Sequence, residues 1–244
     1  MKKVILLLIS FCFLVPKISL TQEVTNFSDW SLWICKPDGQ CEPYQGATSG
    51  SFGVSGSDWS VDLNIQNGKL TFTINGSDKG GIWVGLGKNF YNDAWAFIAN
   101  YKINSVNGNA YAGIWHSIEE WPIAGIEEDE LTCEIKIQQW DGCRGFLWRV
   151  RERSDDRSYE KRLSCGQFGD YCNQWNLNEN KFLGYGMINN EMLFWVDGYK
   201  SIHKFIPIIP FSSSINDFDP TIEIYVDQGG QNSITVEVSS IQVF

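Results

Sequence analysis

Histidine, basic charge, long apolar runs and helical periodicity are all scarce in this 244-residue sequence, and each scarcity removes a class of function. The two histidines, His116 and His203, and the absence of any Cys-x-x-Cys spacing argue against a zinc site. No Gly-x-Ser-x-Gly elbow is present, which argues against a serine hydrolase of that type. Basic residues number 19 against 29 acidic. Phosphate binding needs a basic footprint, so a nucleic-acid partner is not expected. The same sign disfavours docking on anionic lipid or acidic polysaccharide. Apolar periodicity at i, i+3, i+4 is nowhere sustained, which excludes a helical core.

The longest apolar run, Val4 to Val15, lies at the N-terminus behind Lys2 and Lys3 and ends at Pro16 and Lys17. It falls short of the roughly 20 residues that span a bilayer, and with Ser19 and Thr21 after it the segment 1–21 reads as a secretory signal peptide. Three lysines leave with it, so the formal net charge moves from -10 to -13. The expected location is secreted or extracellular, at the cell surface or in a periplasm, and a membrane span is not expected. Export agrees with cysteine usage. Beyond Cys12 the chain holds Cys35, Cys41, Cys133, Cys143, Cys165 and Cys172, an even set that implies disulfides without fixing which pairs form. They fall as three close pairs around turn-rich inserts, and easy local loop closure favours three sequential bridges.

What the chain has in abundance is alternation. Period-two runs appear at Trp59 to Ile65 and Lys69 to Ile74, joined by the hairpin signal Asn67-Gly68. Others follow at Ile82 to Leu86, Trp95 to Ile103, Ala110 to Trp115, Thr132 to Gln139, Gly145 to Arg153, Met192 to Val196, Thr221 to Val226 and Ser233 to Val243. Roughly a dozen strands, 23 glycines and 11 tryptophans predict an all-β, two-sheet antiparallel sandwich with a full aromatic core, occupying 22–244 as a single domain. Two segments read as loop insertions. One is Ser154 to Asn180, charged and polar, expected as an exposed excursion with room for a small helix. The other is Trp115 to Glu130, which carries His116, Glu119, Glu120 and Trp121 and ends in four consecutive acids, expected as a solvated turn.

The order of several short motifs is familiar. Asn67-Gly68-Lys69-Leu70, Gly113-Ile114-Trp115, Glu134-Ile135-Lys136-Ile137, Phe194-Trp195-Val196-Asp197-Gly198 and the terminal Val238 to Phe244 succeed one another along the mature chain. This resembles the concanavalin A-like lectin and glucanase superfamily, and within it the layout of laminarinase and lichenase-type glycoside hydrolases. The resemblance implies a jelly roll from about Trp59 to Phe244. It also implies a catalytic Glu-x-Asp-x-Glu on one strand, because retaining hydrolysis uses two carboxyl groups about 5–5.5 Å apart. Here Glu134 fits the first place, but Lys136 stands where the aspartate belongs, and Gln138 or Gln139 where the acid/base belongs. Glutamine transfers no catalytic proton, so that mechanism is not expected. The family's terminal strand offers an aspartate to a structural calcium; the matching position is Ser239, and no cofactor is expected.

What remains is a surface. Glu134, Lys136, Gln138 and Trp140 share one face if the strand is regular, and the family layout adds Trp115 to a site on the concave sheet. Flat aromatic faces beside amides and charges suit a sugar, and the acidic chain suits a neutral one. The expected function is therefore non-catalytic, lectin-like binding of a neutral oligosaccharide or polysaccharide. A hydrolase or lyase using Glu134 with Glu119, Glu120 or His116 is the alternative, and a structural or adhesive surface protein a second. His203 reads as structural. Asn26-Phe27-Ser28 and Asn75-Gly76-Ser77 fit the N-glycosylation acceptor pattern. A one-residue register slip at 132–140 would exchange the polar row for Ile135 and Ile137.

Overall fold

The computed structural model describes residues 22–24, 26–36, 40–44, 46, 48–53, 57–76, 80–88, 90–91, 96–120, 129–154, 157–163, 175–188, 191–196, 199–205, 217–218, 220–227 and 231–244, with the backbone alone at 22, 90–91, 116–120, 129–134, 148–154, 157–163, 187–188, 191–196, 199–205 and 217–218. The expected signal segment 1–21, Trp121, Cys165, Cys172 and Ser77 lie outside them. Among the described residues every regular element is a strand, and no helix is long and apolar enough to cross a membrane.

In chain order the strands are β1 (Gln22–Val24), β2 (Ser31–Cys35), β3 (Cys41–Tyr44), β4 (Gly50–Gly53), β5 (Ser60–Gln66), β6 (Lys69–Gly76) and β7 (Ile82–Gly87). There follow β8 (Phe90–Tyr91), β9 (Ala96–Asn107), β10 (Ala110–Glu120), β11 (Asp129–Trp140), β12 (Cys143–Ser154) and β13 (Arg157–Leu163). The last are β14 (Asn180–Ile188), β15 (Glu191–Val196), β16 (Tyr199–Phe205), β17 (Asp217–Phe218), β18 (Thr221–Val226) and β19 (Asn232–Val243). One sheet runs β16-β15-β14-β9-β19-β6-β5-β4, with β1 added on β19; the other runs β13-β12-β11-β10-β18-β7-β2-β3. β8 and β17 pair separately. The result is the expected antiparallel jelly-roll sandwich.

Its core is made by alternate residues of both sheets. Val61, Leu63, Leu70, Phe72, Ile74 and Val236 from the nine-stranded sheet close on Ile82, Val84, Leu86, Ile114, Ile135 and Ile224 from the eight-stranded one, all almost fully buried. Trp30 and Trp59 are the largest of the buried rings near its edges, with Trp175. Burying an aliphatic side chain of this size stabilises by about 1.5–3 kcal/mol.

Two turns set the pairing. Asn67 (φ 52) and Gly68 (φ 71) join Gln66 to Lys69, as their sequence predicts. Asp141 (φ 49) and Gly142 (φ 76) join Trp140 to Cys143 in the same way. Two consecutive positive φ values are the signature of a type I′ hairpin, whose twist matches that of its strands.

The second turn corrects the cysteine pairing. Cys35 and Cys41 are directly opposed across β2 and β3 and form the expected bridge. Cys133, however, stands opposite Val150, seven residues up β12 from Cys143. At about 3.3 Å per residue that is roughly 23 Å, far beyond the reach of a disulfide. Cys143 is nonetheless disulfide-bonded, and the register excludes Cys133 as its partner. Peptide mapping of the unreduced protein is expected to join the Cys143 peptide to a cysteine other than Cys133; a Cys133–Cys143 link would overturn the hairpin register.

Both expected insertions also need correction. Trp115 to Glu120 continues β10, paired with Asp129 to Glu134 of β11, so that segment is a long hairpin whose tip, 121–128, lies outside the described residues. The excursion after Ser154 starts as β13, which extends the sheet. In the backbone register Arg151 stands opposite Glu160, Arg149 opposite Glu134 and Arg162, and Arg153 opposite Glu130. The segment ends on Trp175, whose indole N–H is shared between the carbonyls of Gln138 and Gly145, both at 3.1 Å.

Candidate functional site

The register of β11 settles which side its polar row occupies. Ile135 and Ile137 lie in the core, so Glu134, Lys136, Gln138 and Trp140 lie on the outer face of the eight-stranded sheet. Residues opposite them on β10 are Trp115 for Glu134, Gly113 for Lys136 and Tyr111 for Gln138. The same face continues across β18 with Thr221, Glu223 and Tyr225, across β7 with Trp83, Gly85 and Gly87, and onto β2 with Trp33.

At its centre is a pair that the sequence did not reveal. Lys136 on β11 and Glu223 on β18 are both opposite Gly113 of the strand between them. A Cβ at position 113 would overlap the Ile135 carbonyl and crowd the Lys136 stem. Glycine therefore leaves the lysine room to cross β10, and its Nζ comes to 3.4 Å from Glu223 Oε1. The two residues are only 5% and 2% exposed. Burial of this depth is tolerated because each charge offsets the other. Trp83 donates its indole N–H to Glu223 Oε2 at 3.0 Å, and Lys136 Nζ sits 3.7 Å from the centre of the Tyr111 ring. Beneath, Tyr101 reaches from the opposite sheet and donates to the Gly113 carbonyl at 2.5 Å. Burial, with the Glu223 carboxylate nearby, holds the Tyr101 hydroxyl well above the ordinary tyrosine range.

Half-buried rings stand around the pair. Tyr111 stacks on Tyr225 at 5.2 Å between centroids, and Trp140 stacks on Tyr225 at 6.5 Å. Glycines on and before β7 give these rings their seats. A Cβ at Gly85 would overlap the far end of the Trp83 indole, and one at Gly81 would overlap the Tyr225 phenol. One at Gly87 would come to 3.1 Å from the Trp33 ring. Trp33, Trp83 and Tyr225 thus lie against glycine positions on the sheet.

Tyr225 donates to Asp227 Oδ1 at 3.0 Å. Burial first, then that carboxylate, pushes its hydroxyl pKa up to about 12. A tyrosine whose folded pKa exceeds its unfolded value keeps more protons folded than unfolded, so its contribution is complete below pH 10 and is lost between pH 10 and 12. Tyr225→Phe is expected to flatten that part of the alkaline loss of melting temperature. An unchanged difference between pH 10 and pH 12 would refute the assignment.

The expected site residues divide as follows. Lys136 and Gln138, 5% and 8% exposed, form the floor, while Trp115 and Trp140 are half-buried above it. Glu134 is placed by its backbone opposite Trp115 and Arg149; its side chain lies outside the described residues. Gln139 is turned to the other face, donating to the Gly108 carbonyl and accepting from Arg144 Nε, both at 3.0 Å. Of the proposed second catalytic groups, His116 and Glu120 occupy β10 positions on the opposite face from Glu134. Glu119 shares its face but lies four residues from Trp115 along β10.

Ser239 stands opposite Asn100, just before a bulge in β19. No group of three or more His, Cys, Asp or Glu residues placed to hold a metal occurs among the described residues. Trp33, Trp83, Tyr111, Glu223 and Tyr225 are the site residues that sequence reasoning missed. Period-two runs had marked the strands of Trp83, Tyr111, Glu223 and Tyr225, but strand order across the sheet is invisible to local pattern.

No family model matches the sequence, and no curated protein does. Similarity appears in three dimensions. A glycoside hydrolase family 16 endo-glucanase from Bacteroides ovatus, solved in complex with G4G3G-2F-DNP, aligns with a TM-score of 0.52 at 10% identity, over 93% of this chain and 100% of that one. A laminarinase from Flavobacterium sp. UMI-01 gives 0.47 at 13% identity, over 93% and 100%. A pseudo beta-1,3-glucanase and immunostimulatory antigen of Mycobacterium tuberculosis gives 0.42 at 15%, over 73% and 78%. What the chain shares with the endo-glucanase is its fold, a two-sheet antiparallel jelly roll.

Proposed function

We propose that this chain is an exported carbohydrate-binding protein that holds a neutral glycan against the outer face of the eight-stranded sheet without cleaving it. The observation that carries this reading is the Lys136–Glu223 pair, buried and mutually neutralised beneath a set of half-buried aromatic rings. A floor without net charge favours an uncharged ligand. A lysine bound to a buried carboxylate stands where hydrolysis would need an assisting acid, and Gln138 where it would need the acid/base, so neither of the two positions after Glu134 on its face of β11 carries a carboxyl group.

Ring spacing supports a chain ligand over a single terminal sugar. Trp33, Trp83, Tyr225, Tyr111 and Trp140 come from five successive strands, β2, β7, β18, β10 and β11. Four steps of about 4.8 Å make a track of roughly 19 Å across the sheet. An endo-glucanase shares the fold, so a glucan is the first ligand to try.

The test is a glycan-array screen of the mature protein, with and without chelator, followed by reducing-sugar assays on every hit. Binding without release is expected. Sugar release would refute the non-catalytic part, and a blank array would refute glycan binding and favour an adhesive role.

A further inference from the structure

We propose that Glu223 is a positioning residue for ligand binding. It holds the Trp83 indole over Gly85 by accepting its N–H, while its partner Lys136 holds the Tyr111 ring. This rests on the glycan site proposed above and assigns the buried pair a task within it.

Glu223 is 2% exposed, so it cannot serve as a main ligand contact; its influence passes through what it touches. One oxygen faces Lys136 Nζ and the other accepts from Trp83 Nε1 at 3.0 Å. Trp83 is half-buried and rests where a Cβ of residue 85 would otherwise be. The Gly85 position leaves the indole room to lie there, and the hydrogen bond to Glu223 restrains its rotation. On the other side, Lys136 Nζ at 3.7 Å from the Tyr111 ring centre braces the aromatic that stacks on Tyr225. One ion pair thereby steadies rings on both of its flanks. A ring held in its binding orientation loses less entropy when a sugar stacks on it.

The experiment compares two full-length mature variants that both lack the ion pair. Lys136→Met/Glu223→Gln keeps an amide oxygen for the Trp83 N–H, whereas Lys136→Met/Glu223→Leu removes it. With laminarihexaose as the neutral probe, the Gln variant is expected to bind about tenfold more tightly than the Leu variant. The near-UV circular dichroism of tryptophan should be reduced only in the Leu variant. Adding Trp83→Phe, which has no N–H, should erase the difference. Equal affinities and equal spectra would overturn the proposal, since a purely structural pair makes no distinction between the two. If the Leu variant does not fold, Trp83→Phe alone in the otherwise unchanged protein should show the same loss, and unchanged affinity there would overturn it. Should the unaltered protein bind no laminarihexaose, the glucan reading fails while the spectra still decide whether Glu223 orients Trp83.

Discussion

Removing one half of the buried pair, by Lys136→Met or Glu223→Leu, is expected to lower stability by about 3–5 kcal/mol, because the surviving charge stays 95% or more buried after its ion-pair partner is gone. For a domain of this size that corresponds to a fall in melting temperature on the order of 10 °C. The double variant Lys136→Met/Glu223→Leu should recover most of it, since apolar replacement of a buried ion pair is often close to neutral. Thermal unfolding of the two single variants and the double one measures the coupling directly. If the double variant loses the sum of the single losses, the two residues do not act as a pair. If neither single change matters, the pair is far more hydrated than its burial implies.

Most of the sandwich was legible because alternation is a local signal. From Trp59 onward the period-two runs fall on real strands, at β5, β6, β7, β9, β10, β11 and β12 and again at β15, β18 and β19. β14 escaped notice because Gly184 and Gly186 alternate with Leu183 and Tyr185, so its outward positions show neither polar nor apolar character. β2 and β3 were hidden by the reading of Cys35 and Cys41 as a loop staple, when the staple in fact joins two strands. The Cys133–Cys143 error had a readable remedy. Asp141-Gly142 is as clear a type I′ signal as Asn67-Gly68, and applying it would have placed Cys133 opposite Val150.

The site was legible only in part, for a different reason. That Lys136, Gln138 and Trp140 share a face follows from period two. That Glu223 lies across Gly113 from Lys136 requires β18 to sit beside β10, a pairing between segments more than a hundred residues apart. Local pattern marks Glu223 as an outward residue of Thr221–Val226 and nothing more. The Glu223 charge therefore has no visible partner in sequence, and Lys136 shows only as the residue standing where the family's aspartate belongs.

Trp83→Ala is expected to weaken glycan binding by about 30-fold or more, the loss typical of a central aromatic anchor worth about 2 kcal/mol or above. Gly85→Ala provides a sharper check, because it adds a methyl and removes no ring. The added carbon would overlap the outer end of the Trp83 indole, a side chain free to swing towards solvent. The ring should lift and lose its seat, with a large drop in affinity and a small change in melting temperature. Gly113→Ala should show the reverse balance. There the added carbon meets the Ile135 carbonyl, which belongs to the paired backbone of β11 and cannot move alone, so overpacking is expected to remove about 1–3 kcal/mol of stability. Isothermal titration beside thermal melts separates these outcomes. If Gly85→Ala left affinity intact, Trp83 would be packing against the sheet and not serving the ligand. The binding track would then shift towards Tyr225 and Trp140, whose rings do not rest on residue 85.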